Sequence, residues 1–503
     1  MKDKGRAKPE SERHLFDRIL KYTGVFGSVQ GLSILVNMVL TKVKSVWLGP
    51  EGSGITESLN RTTDLVRNST NLGISMVAVP EISNFAGSSD QDGLADRIML
   101  TRSWALLTSV IGVAVCLLLA PLLSRYAFDG DRGYSFSFMI LSAAVAASAV
   151  TGGETAILRG TGMLRQIALS QLLAGVLSLC ISVPLFWFLR YDGIVPALAL
   201  TALATMVVTC FYSIRAFPYR ARPFDLKYLK KGLGMIGFGL FFTITAFLGA
   251  WAWSFIARYL TVEGGPGLTG TYSTGYMLVT HLTTLLLSVT DSEYYPRLSA
   301  AGNDLPGAHS LMNSQSLAMC MLAAPLVILF MICVPVLVFV VLEYEKFYAS
   351  IALAQMAVIG LFFKATYQPI AYLVLARSDS KIYLLQEVLC YILLVICVIT
   401  GYNLAGSMGI GISLAAWELL YFLIVLIIGW LRYGFVMSAQ LVRNFFVQGV
   451  IIGLAAVCIV WDFKWSFALS VVLCVASAAV SLSFFSSHTS FLPSLFSRFT
   501  RRS

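Results

Sequence analysis

The chain has 503 residues, of which 57% are hydrophobic and only 12% charged, with a formal net charge of +10 and a mean hydropathy of +0.78. A soluble domain carries about twice that charged fraction, and no soluble fold could bury so many bilayer-length apolar runs, so a soluble globular protein is excluded. The basic residues flank the apolar runs and form no Lys/Arg face interleaved with aromatic rings, which is the positive-inside pattern of a membrane protein and not the footprint of a nucleic-acid binder.

In chain order, residues 1–18 form a basic leader, "MKDKGRAKPESERHLFDRIL" and onward, too polar for the core of a signal peptide. The apolar run after it has spanning length and no small-residue cleavage site, so the leader is expected to stay attached and cytoplasmic. Fourteen spans follow, at 19–47, 55–85, 98–124, 135–159, 166–189, 194–216, 230–260, 270–298, 313–342, 348–375, 382–401, 408–431, 444–461 and 465–486. The loop after the sixth span holds Arg215, Arg220, Arg222, Lys227, Lys230 and Lys231, and the later loops on the same side hold Arg377, Lys381, Arg432 and Arg443. The opposite loops are poorer: "LGPEGSG", "VEGGPGLTG" and "GYNLAGSMG" have no basic residue, and others have one or two, such as Arg125 and Arg132. This bias places both termini in the cytoplasm. All nine cysteines lie in apolar runs without a C-x-x-C pair, which reads as buried free thiols and no zinc site. No cofactor or metal site is apparent.

The chain repeats itself. Gly49-Pro50 recurs as Gly265-Pro266, a shift of 216 residues (265 minus 49), and the same shift takes Gly54 to Gly270, Pro80 to Pro296 and Lys42 to Arg258. Nearly the same shift takes Pro121 to Pro335 and Arg215 to Arg432. An ordered set at an almost constant shift signals duplication. The fold is expected to be all-α: an N-lobe at 19–217, a basic linker at 218–229, a C-lobe at 230–433, two extra helices at 444–486 and a basic tail at 487–503. Six helices per lobe is an even number, so a pseudo-twofold axis should run along the membrane normal, with a cavity between the lobes.

The second span is unusually polar. On a helical wheel of about 100° per residue, Glu57, Arg61, Asp64, Asn68, Asn71 and Ser75 share one stripe, with Asn60 and Arg67 on its flank and Leu59, Val66, Met76 and Val77 opposite. Charge at hydrocarbon depth faces protein or water. Two readings stand together: a ladder of pairs Glu57–Arg61 and Arg61–Asp64, and the lining of a polar cavity, which better explains the uncharged continuation. In the repeat, Trp251, Trp253, Tyr259, Tyr272 and Tyr276 gather near one end, where they could stack on sugar rings or mark the membrane interface. Thr280, Thr284 and Asp291 continue the face that matches Asp64, Asn68 and Ser75. Lys44, Glu154, Lys364, Glu387 and Glu418 are further intramembrane charges; Glu154 and Lys364 occupy repeat-partner helices and could meet as a gate across the lobes.

The "GPEGSG" turn, the long second helix and "NLGISMVAVPEISNFAG" resemble the polysaccharide-transporter branch of the multidrug/oligosaccharidyl-lipid/polysaccharide (MOP) exporter superfamily, and within it the Wzx-like O-antigen flippases. Gly49, Pro50, Gly52, Gly54, Gly73, Ile74 and Val77 carry the likeness. The chain departs from that pattern in reading "PEISNFAG" after the second helix and in having fourteen spans where many Wzx-like proteins have twelve. The resemblance implies a MATE/MOP-like fold in the bacterial inner membrane. It also implies a flippase for an undecaprenyl-diphosphate-linked oligosaccharide, serving O-antigen, lipopolysaccharide or exopolysaccharide synthesis, with a glycan polymerase as a further partner.

That substrate asks for cations at its diphosphate, for which Lys42, Arg61, Arg67 and Arg258 are candidates. Its sugars ask for amides, carboxylates and aromatic faces, for which Asp64, Asn68, Asn71, Tyr272 and Tyr276 are candidates. Glu57, Asp64 or Asp291 could bind H⁺ or Na⁺ as a coupling ion. The rival readings are a small-molecule or multidrug exporter of the same superfamily, with an acidic and cation-poor cavity, and a membrane-embedded glycan-transferring enzyme. Short outer loops and four scattered histidines argue against the enzyme.

Overall fold

The computed structural model describes residues 12–86, 90–289, 294–300, 304–377, 379–461 and 464–488. Asp291, the start of the leader and the end of the tail lie outside the described residues. The elements in order are α1 (Glu12–Thr70), α2 (Ile74–Ala86), α3 (Gln91–Ala127), α4 (Ser135–Gly160), α5 (Leu164–Leu189), α6 (Ile194–Ala216), α7 (Leu226–Leu229), α8 (Leu233–Val289), α9 (Tyr295–Ala300), α10 (Leu305–Val341), α11 (Tyr344–Phe347), α12 (Ala349–Ala357), α13 (Ile359–Ala376), α14 (Ser380–Tyr433), α15 (Ala439–Trp461) and α16 (Ser466–His488). No strand occurs among the described residues.

Three of these helices fold back on themselves. α1 turns at Gly49 (φ 65°, ψ −167°) and α8 turns at Gly265 (φ 74°, ψ 174°), while α14 turns at Ala405–Gly406. A positive φ with an extended ψ is open to glycine and closed to other residues, and the proline after each of the first two glycines starts the returning arm with its φ already set. Counting each folded helix as two crossings, and α12 with α13 as one, gives the fourteen spans expected from hydropathy. Nine helical stretches among the described residues are long and apolar enough to cross a membrane. One end of the bundle carries the glycine turns, hereafter the hairpin end; the other carries Lys227, Lys230, Lys231 and Arg432, hereafter the basic end.

The duplication goes further than the glycine turns. α3 and α10 are each 37 residues long, and each is capped by an aspartate, Asp90 and Asp304, whose side chain accepts from the glycine three residues on, Gly93 at 2.8 Å and Gly307 at 3.2 Å. The two caps are 214 residues apart (304 minus 90) and satisfy backbone donors that the helix itself cannot.

The second span is not one helix. Leu72 (φ 49°) and Gly73 (φ 64°) are both left-handed and break it between Thr70 and Ile74. Beyond the break Val77, expected opposite the stripe, is buried, but Met76 beside it is 60% exposed. The cysteines also depart from expectation. Cys116, Cys320, Cys390 and Cys458 are buried, but Cys180 is exposed on the outside of α5, because an apolar run in a membrane protein can face lipid as well as core.

The N-lobe core is split into two clusters. One, with Leu59, Cys116 and Phe138, lies toward the hairpin end, and the other, with Ile74, Ile98 and Ile157, lies toward the basic end. The C-lobe core is continuous and takes in Ile452, Ala455, Phe484 and Phe485 of α15 and α16. A buried polar clasp fixes those two helices: Gln448 donates to Ser481 (3.1 Å), Ser477 donates to Gln448 (2.6 Å) and Ser481 donates to the Met321 carbonyl (2.8 Å). Without a hydrophobic force between helices in lipid, such interhelical hydrogen bonds are a main source of specific docking.

Glu154 and Lys364 do not meet across the lobes. Each finds its counter-ion inside its own lobe, which removes the gate expected from the repeat. Arg102, 1% exposed, grips Glu154 at 2.9 and 3.1 Å and spends its remaining donors on the Pro218 carbonyl (2.8 Å), the Phe217 carbonyl and Ser213. This ties the start of the basic linker to α3 and α4. Removing one member of such a pair strands a buried charge at a cost of about 3–5 kcal/mol. Arg102→Ala is therefore expected to lower the apparent melting temperature of the detergent-solubilised protein sharply, while the double change Arg102→Met with Glu154→Leu recovers part of it. Equal melting curves for Arg102→Ala and the unaltered protein would show the pair to be dispensable.

Candidate functional site: a chamber between the lobes

Past the split in the N-lobe core lies a cavity of 550 Å³, within the range of about 300–1,000 Å³ typical of ligand sites, lined by Asn60, Thr63, Asp64, Arg67, Asn68, Asn71 and Ser75 of the second span, with Ser148, Thr151, Thr201 and Thr205 opposite. Polar side chains alternate there with Leu141, Ala144, Leu198 and Ala202. A second space of 270 Å³ shares Asn68, Asn71 and Ser75 with the first and reaches Phe242, Thr245, Tyr383, Glu387 and Tyr391 of the C-lobe. A third of 360 Å³ shares Tyr383, Glu387 and Tyr391 with the second and continues to Trp253, Tyr276, Lys364, Gln368, Trp417 and Tyr421. Shared walls make these one chamber that crosses from lobe to lobe.

The stripe read from the wheel is thus rotated in the structure. Asp64, Asn68, Asn71 and Ser75 line the chamber together with the flanking Asn60 and Arg67. Glu57 and Arg61 lie toward the hairpin end, off its wall. Arg61 Nε donates to Glu57 Oε1 at 2.7 Å, and its guanidinium lies over the Trp253 ring, 5.4 Å from the centroid. Arg61 therefore joins the two lobes at the head of the chamber. The expected Arg61–Asp64 pair does not form; Asp64 pairs with Arg67 at 3.4 Å. An acid placed four residues before a base is the favoured helical geometry, so Glu57 takes Arg61 and leaves Asp64 to its other neighbour.

Lys42 and Arg258 do not line the chamber. Both reach across to the opposite lobe at the hairpin end. Lys42 Nζ donates to the Leu342 carbonyl (2.5 Å) just past α10, and the Arg258 guanidinium lies over Tyr126, in the last turn of α3, at 5.2 Å. Leu342 and Tyr126 are themselves 216 residues apart (342 minus 126). The two contacts are one interlobe latch made twice, each cation of a first helix meeting the end of the other lobe's third helix. Beside them the lobes touch backbone to backbone: a methyl group at Gly54 would run into the Pro266 carbonyl, and one at Gly270 into the Pro50 carbonyl. Ser58 and Thr261, linked at 3.2 Å, bridge the same seam.

Of the aromatic candidates, Tyr276 lines the chamber and stacks on Trp253 with centroids 5.1 Å apart. Tyr272 is buried behind it, parallel to it at 6.1 Å, with its hydroxyl unpartnered among the described residues. Tyr259 is occupied with Asn403 (2.8 Å), and Trp251 is exposed away from the chamber. Thr280 lies in a small 80 Å³ recess beside Lys364 and Glu418.

The C-lobe wall holds what the wheel could not supply. Glu418 is buried, pairs with Lys364 (3.2 Å) and accepts from the Tyr367 hydroxyl (2.5 Å). Glu387 is half-buried beside the hydroxyls of Tyr391 and Tyr421, and with Lys364 committed to Glu418 it has no ion-pair partner among the described residues. The charges were visible in the sequence, but they sit in helices outside the repeat's marked positions, and only the packing of α13 against α14 shows that they share a wall with Trp253 and Tyr276. Among the described residues no cluster of His, Cys, Asp and Glu is arranged to hold a metal.

Residues 95–351, more than half of the 503-residue chain, match the family described as "Polysaccharide biosynthesis protein". No curated protein matches. Among solved structures, the chain is similar to the inward-facing form of a multidrug resistance MATE family transporter of the MOP superfamily, with 16% identity and a TM-score of 0.65 over 80% of this chain and 94% of that one. It is similar to lipid II flippase MurJ in an inward closed conformation, with 14% identity and a TM-score of 0.63 over 94% and 98%. It is also similar to a MOP superfamily transporter from Pyrococcus furiosus whose binding pocket of reverse polarity suggests a different function, with 14% identity and a TM-score of 0.61 over 85% and 99%. The chain belongs to the polysaccharide biosynthesis protein family and is built on the fold of the MOP-superfamily transporters.

Proposed function

We propose that the protein is a flippase that carries an undecaprenyl-diphosphate-linked oligosaccharide from the cytoplasmic to the outer leaflet of the bacterial inner membrane, for O-antigen, lipopolysaccharide or exopolysaccharide synthesis. The observation that carries this reading is the chamber itself: a polar, partly charged space between two duplicated lobes in a chain of the polysaccharide biosynthesis family. The basic end faces the cytoplasm under the positive-inside bias. Arg67, with Arg61 at the head, supplies guanidinium groups for the diphosphate, and Asn68 and Asn71 supply amide donors at the seam. The lipid tail stays in the bilayer while the lobes rock about the central site. The contacts at the hairpin end form the closed side, and their release opens the chamber outward. Glu57 or Asp64 serves as the acid through which an H⁺ or Na⁺ gradient drives the cycle; transport that persists with both gradients dissipated would exclude this.

A drug exporter would need an acidic, cation-poor chamber, whereas here Arg67 and Lys364 stand beside Asp64 and Glu387, so cations and acids are balanced along the wall. The test is flipping of an undecaprenyl-diphosphate oligosaccharide by the purified protein in liposomes. Asn68→Ala should slow it about fivefold, since one neutral hydrogen bond is worth roughly 1 kcal/mol. An unaltered protein that leaves the substrate in one leaflet would refute the proposal.

A further inference from the structure

The two halves of the chamber are chemically unlike, and we infer that they divide the substrate between them: the C-lobe half is a sugar subsite, and the N-lobe half takes the diphosphate. This rests on the flippase reading. The N-lobe half is walled by amides, hydroxyls and the Asp64–Arg67 pair, whose guanidinium is half-exposed to the cavity, and among the described residues its wall has no aromatic ring. The C-lobe half is walled by Trp253, Tyr276, Tyr383, Tyr391, Trp417 and Tyr421.

A pyranose ring has apolar C–H faces and a rim of hydroxyl groups. It is held where aromatic faces and side-chain oxygens alternate, and the C-lobe half alternates in that way. Trp253 and Tyr276 are stacked at 5.1 Å, and Trp417 meets Trp253 edge-on at 6.2 Å, giving a corner of rings. Glu387 enters the same space; the hydroxyls of Tyr391 and Tyr421 hydrogen-bond to its carboxylate, which has no salt bridge among the described residues and keeps lone pairs for a ligand, and Gln368 lines the same space. A carboxylate in this position accepts from adjacent sugar hydroxyls, or from an acetamido N–H, in charge-assisted bonds. It repels a sugar acid. Lys364 is committed to the buried Glu418 and Arg61 to Glu57, which leaves Glu387 as the carboxylate of the subsite without a salt bridge among the described residues, so the subsite selects a neutral or N-acetylated sugar over a uronic acid.

The route between the halves passes Asn68, Asn71 and Ser75, the residues common to the first two spaces. The reducing-end sugar, one bond from the diphosphate, is therefore the ring that Tyr383, Tyr391 and Glu387 meet first.

The experiment measures binding of two lipids to the full-length protein in nanodiscs by native mass spectrometry: undecaprenyl diphosphate, and undecaprenyl diphosphate carrying one N-acetylglucosamine. The unaltered protein should hold the glycosylated lipid about tenfold more tightly than the bare one, the scale of one good aromatic contact with its hydrogen bond. Tyr391→Ala and Glu387→Gln should each erase most of that difference while leaving affinity for the bare lipid as it was. Arg67→Ala should weaken both lipids alike. Equal affinity of the unaltered protein for the two lipids overturns the sugar subsite and leaves the flippase intact. Equal weakening of both lipids by Tyr391→Ala and Glu387→Gln overturns it too, by making those residues structural. No binding of either lipid to the unaltered protein removes the flippase reading itself.

Discussion

Arg61→Ala is expected to abolish complementation of a flippase-null strain while the protein accumulates in the membrane at its usual level. Three consequences of the change act together. It removes a cation from the head of the chamber, it strands Glu57 without its 2.7 Å partner, and it takes away the ring contact with Trp253 that joins the lobes. A hydrogen bond to a charged group is worth about 1.5–3 kcal/mol, and a desolvated cation–π contact about 2 kcal/mol. Arg61 is 34% exposed, so screening trims both values. A loss of roughly 10- to 100-fold in flipping rate remains. Arg61→Lys should fall between, because an ammonium keeps the charge but not the planar stacking and the forked donors. Full activity in Arg61→Ala would reduce Arg61 to a structural partner of Glu57.

How far this site could be read from the sequence depended on the kind of signal. Periodicity and duplication are local and survive into three dimensions. Gly49-Pro50 and Gly265-Pro266 announced two turns of the same shape, and both were found with nearly the same dihedral angles. The aspartate caps at Asp90 and Asp304 carried the same information, since Asp-x-x-Gly recurs at the start of two helices of equal length. A helical wheel, by contrast, assumes an unbroken helix. Leu72 is left-handed without being glycine, a conformation that propensity does not announce, so the break was not legible even though Ser75 beyond it still lines the chamber.

Partners across long separations were less legible still. Arg61 could have chosen Glu57 or Asp64 on its own helix; Trp253, nearly two hundred residues away, helps decide the choice. Lys42 and Arg258 were recognised as repeat partners, but not that each would be drawn to the other lobe's third helix. Nothing in their neighbourhoods announces a carbonyl at Leu342 or a ring at Tyr126. The C-lobe wall was hidden for a related reason. Lys364, Glu387 and Glu418 stood out as charges in apolar spans, but an isolated charge gives no direction. It takes the packing of three helices to turn them toward the same tyrosines.

The duplication also makes a mechanical prediction of comparable size. Gly54→Ala and Gly270→Ala are each expected to abolish transport, and for the same reason. Each glycine meets the backbone of its repeat partner's turn, Gly54 the Pro266 carbonyl and Gly270 the Pro50 carbonyl, so a methyl group at either has no flexible side chain to push aside. Overpacking a well-filled site costs about 1–3 kcal/mol when side chains can yield, and here backbone must move instead. The lobes would be wedged apart at the hairpin end, straining the Lys42 and Arg258 latches and the Ser58–Thr261 link. A cycle that requires that end to seal then stalls. The readout is a cysteine at Ser58, a position only 2% exposed in the sealed form, introduced into a protein whose native cysteines are replaced by alanine. A membrane-impermeant maleimide should label Ser58→Cys slowly on its own, through the open phase of the cycle, and at least about tenfold faster when Gly54→Ala is added. Gly453→Ala, where a methyl group meets open space, should alter neither labelling nor transport. Normal transport by Gly54→Ala, with Ser58→Cys still protected, would mean that the reciprocal glycine contact is not what closes the chamber.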